Sequence, residues 1–235
     1  MKVKKRGFPA SFVRNEPAMK LGASLVITDL HIGITREMWK NGVSLPSQVS
    51  RMAERVNALK RKTRTKRLVI LGDVKHEITH ATPREAEEIP DFLSIVKFRD
   101  IVIVKGNHDG TIETITGKVP VRKSVNIGDY YLTHGHRRVA TKKSRIIIGH
   151  NQPHVKMKDE MGAIYVEPAW VQGMMKDGRQ LTIMPAFNEL CGASIVNEQH
   201  FIGPIAKNLM PSAHAFLLDG TDLGTIDKLP KFERK

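Results

Sequence analysis

The sequence predicts an α/β fold, and three observations predict it. In the first half of the chain short apolar runs alternate with helical periods, a polar residue stands at the end of almost every run, and the second half keeps the runs but loses the helical periods. Alternating strand and helix patterns read as strands joined by crossover helices; later strands without helices between them read as a more antiparallel sheet packed on the first. The 235 residues suit one large domain, 1–235, with no internal repeat or low-complexity linker to divide it.

Each element has its own signal. Residues 24–28 (SLVIT) form a short buried strand that delivers Asp29, Leu30 and His31. After Pro46, Val49, Met52, Val56 and Leu59 recur at intervals of three and four, which predicts an amphipathic helix over 47–63. Residues 67–71 (RLVIL) are the next strand and run into Gly72 and Asp73. Thr82, Pro83 and Glu85 supply a capping hydroxyl, a first-turn proline and an acid three residues after the cap, so a helix starts there. It is expected to kink or stop near Pro90 and to resume through Phe92, Leu93 and Val96. Residues 101–104 (IVIV) form a strand leading into Lys105, Gly106, Asn107, His108 and Asp109. Further strands are predicted at 130–133, 145–148, 163–166, 181–184 and 215–218.

The composition bounds the function. The chain is 40% hydrophobic and 26% charged, which argues against disorder and against a fibrous chain. One cysteine, Cys191, excludes an intrachain disulfide framework and a cysteine-cluster zinc site. The longest apolar runs fall far below the ~20 residues of a membrane span, and the N-terminus has no apolar signal core. A cytoplasmic, non-membrane protein is therefore expected. The balance of 38 Lys+Arg against 24 Asp+Glu, a net +14, favours a polyanionic partner, DNA or RNA. The charge is clustered: Lys60, Arg61, Lys62, Arg64, Lys66 and Arg67 form one run, Arg137, Arg138, Lys142, Lys143 and Arg145 a second, and both chain ends add more.

Asp29 and His31, Asp73, Asn107 to Asp109, His134 and His136, and His150 each follow a short apolar strand. Ligands of open α/β sheets bind beyond the carboxyl ends of the strands, so five strand ends are expected to converge on one site. Carboxylate, imidazole and amide without thiolate is a donor set for Mn²⁺, Fe or Zn²⁺, less for Ca²⁺. Two metals roughly 3.5–4 Å apart need a bridging carboxylate, and Asp73, central in the series, is the natural one. Turn formation after a strand is the plainer reading of Asp29 and Asp73, but it leaves their shared surroundings unexplained.

At these residues the chain resembles the calcineurin-like metallophosphoesterases. The motifs stand in family order as Asp29-Leu30-His31, Gly72-Asp73-Val74-Lys75-His76, Gly106-Asn107-His108-Asp109, Thr133-His134-Gly135-His136 and Gly149-His150-Asn151-Gln152. More loosely, the remainder, including 185–188, is similar to the archaeal ICC-like, SbcD-related branch. The resemblance implies an αββα sandwich of two packed mixed sheets flanked by helices. It implies two divalent metal ions, Mn²⁺ first, with Fe, Zn²⁺ or Mg²⁺ as the other candidates. Asp29, His31 and Asp73 would hold metal one; Asp73, Asn107, His134 and His150 would hold metal two. His108 would stabilise the phosphoryl group or protonate the leaving oxygen, with Asp109 orienting it, and His76 and His136 would stand behind the ligands. The implied reaction is in-line attack of water on a phosphate ester, with no covalent enzyme intermediate.

Gln152 stands where the family's last motif has the histidine that completes metal one. Its amide oxygen coordinates there, or His154 reaches in, or the site has decayed and only the fold is used. A phosphodiesterase acting on nucleic acid is the first functional expectation. A nucleic-acid- or protein-binding scaffold and a phosphomonoesterase of a small metabolite are the alternatives. His80, His200, His214, Trp39, Trp170 and Cys191 carry no motif and read as packing or surface residues.

Overall fold

The computed structural model describes residues 10–198 and 200–232. The basic residues Lys2, Lys4, Lys5, Arg6, Arg234 and Lys235 lie outside them. The elements in chain order are β1 (Ala10–Phe12), β2 (Met19–Leu21), β3 (Ser24–Ile27), α1 (Ile34–Lys40), α2 (Val49–Thr63), β4 (Arg67–Ile70), α3 (Pro83–Ile95), β5 (Asp100–Val104), β6 (Val121–Arg122), β7 (Val125–Ile127), β8 (Tyr130–Leu132), β9 (Arg145–Ile148), β10 (Pro153–Lys158), β11 (Ile164–Met174), β12 (Gln180–Ile183), β13 (Ser194–Ile195), β14 (His214–Leu217) and β15 (Asp222–Thr225). Two mixed sheets face each other, as expected. The first has the order β1-β2-β3-β4-β5-β6, parallel from β3 to β6 and antiparallel at β1 and β2. The second has the order β13-β10-β11-β12-β9-β8-β7, with β14 and β15 attached to β11. Its centre, β8, β9 and β12, is parallel.

The period of two along the strands builds the layers. On the first sheet Leu25, Ile27, Leu68, Ile70, Ile101 and Ile103 point to one face, where they pack with Met52, Val56 and Leu59 of α2 and Ile89 and Phe92 of α3. Their neighbours Val26, Val69, Leu71, Val102 and Val104 point the other way and meet Leu132, Ile147, Trp170 and Met184 of the second sheet. A strand buried on both faces reads as a continuous apolar run, which is why these were visible in the sequence. The outer face of the second sheet carries Ile146, Ile148, Leu181 and Ile183. It is covered by Ile205, Ala206 and Leu209 around a short 3₁₀ turn and by Leu223 and Ile226, rather than by a long helix.

Three expectations change in detail. The helix opened by Thr82 runs unbroken from Pro83 to Ile95, with Pro90 and Ala86, whose carbonyl loses its helical partner, both on the exposed side. The strand expected at 163–166 is the exposed start of the eleven-residue β11, whose buried part is Ala169 to Val171. Helix α1 carries one buried residue, Thr35, and no apolar stripe announced it.

Candidate active site

The C-terminal ends of β3, β4, β5, β8 and β9 meet between the sheets' edges, and the five motif segments leave from them. Turning a chain sharply out of a buried strand strains the backbone. Among the described residues seven non-glycine residues have positive φ, and Asp29 (54°), His31 (41°), Asp73 (49°), His150 (67°) and Gln152 (44°) are five of them. Left-handed conformations in non-glycine residues cost free energy and collect where surrounding structure enforces them for a purpose. At Gly106 the limit is contact: a Cβ there would lie 2.1 Å from Asp73 Oδ1.

Asp73 is the centre. Its Oδ2 lies 3.2 Å from His134 Nε2, 3.7 Å from His31 Nε2 and 4.0 Å from His108 Nε2. Its Oδ1 accepts the His108 backbone N–H at 3.0 Å. Two groups of donor atoms, each within a 4.8 Å spread, share it: His31, Asp73 and His108, and Asp73, His134 and His150. Asp29 closes the first side, with Oδ1 3.9 Å from His31 Nε2. Asn107 Oδ1 accepts from His134 Nε2–H at 3.1 Å and so stands on the second side. The structure thus brings Asp29, His31, Asp73, Asn107, His108, His134 and His150 together.

The donor set fits divalent cations. Asp29 Oδ1 is buried with no hydrogen-bond partner, an acceptor that needs a positive group. Burial, and then the charge of Asp73, lifts the Asp29 carboxyl to about 6. Burial pushes His31 down to about 3 and His150 and His136 to about 4, so all three rings are neutral, the state in which imidazole binds metal. Burial opposes the charge on His134 as well, but the hydrogen bond and charge of Asp73 raise it to about 9. Burial would raise Asp73 in turn, yet its hydrogen bond and charge pairing with His134 hold it well below the usual carboxylate range. His134 Nδ1–H donates to Leu71 O at 2.8 Å, so Nε2 is the atom facing Asp73 and Asn107. Its proton sits between two oxygens, where a cation would replace it.

Gln152, not His154, faces the first side. Gln152 Nε2 lies 3.0 Å from His31 Nε2, whereas His154 is on β10 and its Nδ1–H donates to Gln152 O at 2.9 Å. The expectation for Asp109 is corrected. Its carboxylate is buried and accepts backbone N–H groups of Val74, Lys75 and Gly106, which clamps the β4 and β5 loops together. His108 Nδ1–H is instead held by the carbonyl of His76. His136 lines the second side, its ring centre 5.4 Å from His134 and both ring nitrogens buried without partners.

Several residues of the site gave no sequence signal. Thr28 Oγ1 lies 2.7 Å from Asp29 Oδ2 and 2.9 Å from Leu71 O. Glu85 was legible as a cap, but its buried carboxylate also accepts the N–H groups of His76 and Glu77 and thereby holds the loop after β4. Lys75 is fully buried, donating to the carbonyls of Glu77 and Ile78. Glu37, with Arg36 and Lys40, lines a cavity of about 260 Å³ that opens beside His76 and His108.

The two basic runs lie differently. Arg137 and Arg138 follow His136 directly, and Arg138 lines a cavity of about 690 Å³ with Arg179 and Lys207. Lys142, Lys143 and Arg145 lead back to the start of β9, where Lys143 donates to Gly128 O and Arg145 lies over the Tyr130 ring. The run Lys60, Arg61, Lys62, Arg64, Lys66 and Arg67 lies at the end of α2 and the start of β4, away from the strand ends that carry the site. Within it Lys60 reaches over Phe98 and Arg67 pairs with Asp100.

A model of the calcineurin-like phosphoesterase family matches residues 24–184. No curated protein matches the sequence. Among solved structures, the chain is similar to the Pseudomonas putida nuclease MPE, with a TM-score of 0.59 and 19% identity over 93% of this chain and 95% of that one. At that identity the likeness is one of fold.

Proposed function

The chain belongs to the calcineurin-like phosphoesterase family, and from that premise we propose that it hydrolyses phosphodiester bonds of nucleic acid at a two-metal centre. The observation that carries the reading is the Asp73 carboxylate, common to both groups of donor atoms. In this reading Asp29, His31, Asp73 and Gln152 hold metal one, and Asp73, Asn107, His134 and His150 hold metal two. When bound, the two ions, Mn²⁺ by preference, neutralise charge on the phosphoryl oxygens and supply a water of lowered pKa. His108 is directed by its Nδ1–H to the His76 carbonyl, so Nε2 is the atom that meets the leaving oxygen and gives it a proton. Asp109 keeps the His108 loop against the Asp73 loop without touching the reacting groups. His136, with no internal partner for its ring nitrogens, stands behind the second group of donors beside His134 and His150.

The nucleic-acid part rests on charge and placement. The net +14 favours a polyanion, Arg137 and Arg138 directly follow His136 in the chain, and Arg138, Arg179 and Lys207 line one cavity. The Pseudomonas putida protein of like fold is named a nuclease. Among the described residues no helix is long and apolar enough to cross a membrane. We place the protein in the cytoplasm and take 1–235 as one domain.

The test is hydrolysis of an activated phosphodiester beside labelled single-stranded DNA and RNA, with Mn²⁺, Mg²⁺ and Zn²⁺, comparing the wild type with Asp73→Asn and His108→Ala. Metal-dependent cleavage of the oligonucleotides, lost in both variants, is the expected result. Preference for a small phosphomonoester would reassign the substrate. Salt-sensitive oligonucleotide binding without turnover under any metal would mean that the fold serves as a binding platform and that Gln152 marks the loss of catalysis.

A further inference from the structure

Behind His31 lies an arrangement that the reading above does not use. His76 Nδ1 is 3.3 Å from His31 Nδ1, the rings meet edge to face at 67°, and His76 Nε2 is in hydrogen-bond contact with Glu37 Oε2 on α1. We propose that Glu37 and His76 are positioning residues that fix the tautomer of His31, with the proton on Nδ1 and the lone pair of Nε2 turned toward Asp29, Asp73 and Gln152.

The assignment follows from donor and acceptor counting. A carboxylate only accepts, so His76 Nε2 carries a proton. A singly protonated His76 then has a bare Nδ1, and the Nδ1–Nδ1 contact at 3.3 Å takes its proton from His31. His31 Nε2 is left bare. On the other side of the ring the Gln152 side-chain amide lies 3.0 Å from His31 Nε2. Both ends of the relay are pinned to one another: the His76 backbone N–H donates to Ile32 O at 3.0 Å and to Glu85 Oε1 at 2.9 Å, next to the Gly33 that opens α1. A carboxylate behind a ligand imidazole fixes its orientation and raises its basicity. That matters most where the partner ligand is a neutral amide, as Gln152 is. This role for Nε2 rests on the two-metal reading; the tautomer does not.

The experiment uses the full chain labelled with ¹⁵N at histidine, first free of metal, then titrated with Mn²⁺ by calorimetry. Long-range ¹H–¹⁵N correlation spectra should show His31 as the Nδ1–H tautomer in the wild type and as a mixture in Glu37→Ala and His76→Phe. Glu37→Gln should keep the wild-type tautomer, since its amide oxygen still accepts from His76. Glu37 is largely exposed, so its truncation removes no core contact. Mn²⁺ should bind about 10- to 100-fold more weakly at one of two sites in Glu37→Ala and unchanged at the other. An Nε2–H tautomer in the wild type, or a tautomer indifferent to Glu37→Ala, would overturn the relay. A wild type that takes up no Mn²⁺ while its tautomer depends on Glu37 would uphold the relay and overturn the two-metal reading.

Discussion

Asp73, His108 and His134 do different work, and variants separate them. Because Asp73 Oδ2 is shared by both groups of donors, Asp73→Asn should lower Mn²⁺ uptake at both sites and cut turnover by at least roughly 100-fold. His108→Ala should instead keep both equivalents of metal, read by elemental analysis, and lose about 10²- to 10⁴-fold in turnover. Loss of metal from the His108 variant would make it a ligand, since its Nε2 belongs to the first donor group. The charge states set a pH dependence for the metal-free protein. His134 is raised from 6.5 to about 9, so the stability it contributes is complete below about 6.5 and is lost as pH rises through 9. His31, His136 and His150 are lowered to between about 3 and 4, so theirs is present above 6.5 and lost as pH falls toward those values. Asp29, raised to about 6, partly offsets the acid-side loss, because its charge is relieved there. Urea midpoints in chelator should therefore peak near pH 6–7. A midpoint that climbs steadily from 6.5 to 9 would contradict a protonated His134.

At the scale of elements, the start of α1, the start of α3 and the loop after β4 are one assembly. Thr82 and Glu85 form a reciprocal capping box, and the same Glu85 carboxylate takes the N–H groups of His76 and Glu77. Gly33 makes room for it: at φ 100° a Cβ would lie 2.7 Å from Glu85 Cγ. Glu85→Ala strands the backbone donors of Thr82 and Glu77, while the His76 N–H keeps the Ile32 carbonyl, and should cost about 2–4 kcal/mol in urea unfolding. Gly33→Ala should cost about 1–3 kcal/mol through the left-handed backbone and the clash together. Both should lower turnover by shifting His76, whose carbonyl holds His108. Wild-type activity in a destabilised Glu85→Ala would show that the loop keeps its shape without the cap.

Across the whole molecule, the sandwich separates two basic regions that the sequence presents as equivalent. Strand β4 starts at Arg67 and delivers Asp73. Arg67 stands at the far end of β4, up to about 20 Å from Asp73 at about 3.3 Å per residue, while Arg137 and Arg138 directly follow His136. Arg137→Glu with Arg138→Glu should therefore weaken oligonucleotide binding and cleavage more than Arg61→Glu with Arg64→Glu. The salt dependence of binding should flatten by about one unit of slope per lost phosphate contact. Equal effects from both pairs would mean that the polyanion wraps from one end of the sheets to the other.

The sequence alone determined the strands buried on both faces, the helix expected over 47–63 and found at Val49–Thr63, the cap at Thr82, and Asp29, His31, Asp73, Asn107, His108, His134 and His150 as one constellation. These were legible because the residues follow short apolar strands, so chain order and spatial order coincide at the strand ends. Tertiary structure decided what couples elements far apart in the chain. It placed Glu37 against His76, Gln152 rather than His154 against His31, and the Asp109 carboxylate on backbone amides instead of on His108. It also carried Pro90 through a helix on its wet side and set the two basic runs at different distances from the site. Side-chain hydrogen bonds between distant segments depend on distances of a few ångströms, and those are fixed only when the two sheets pack.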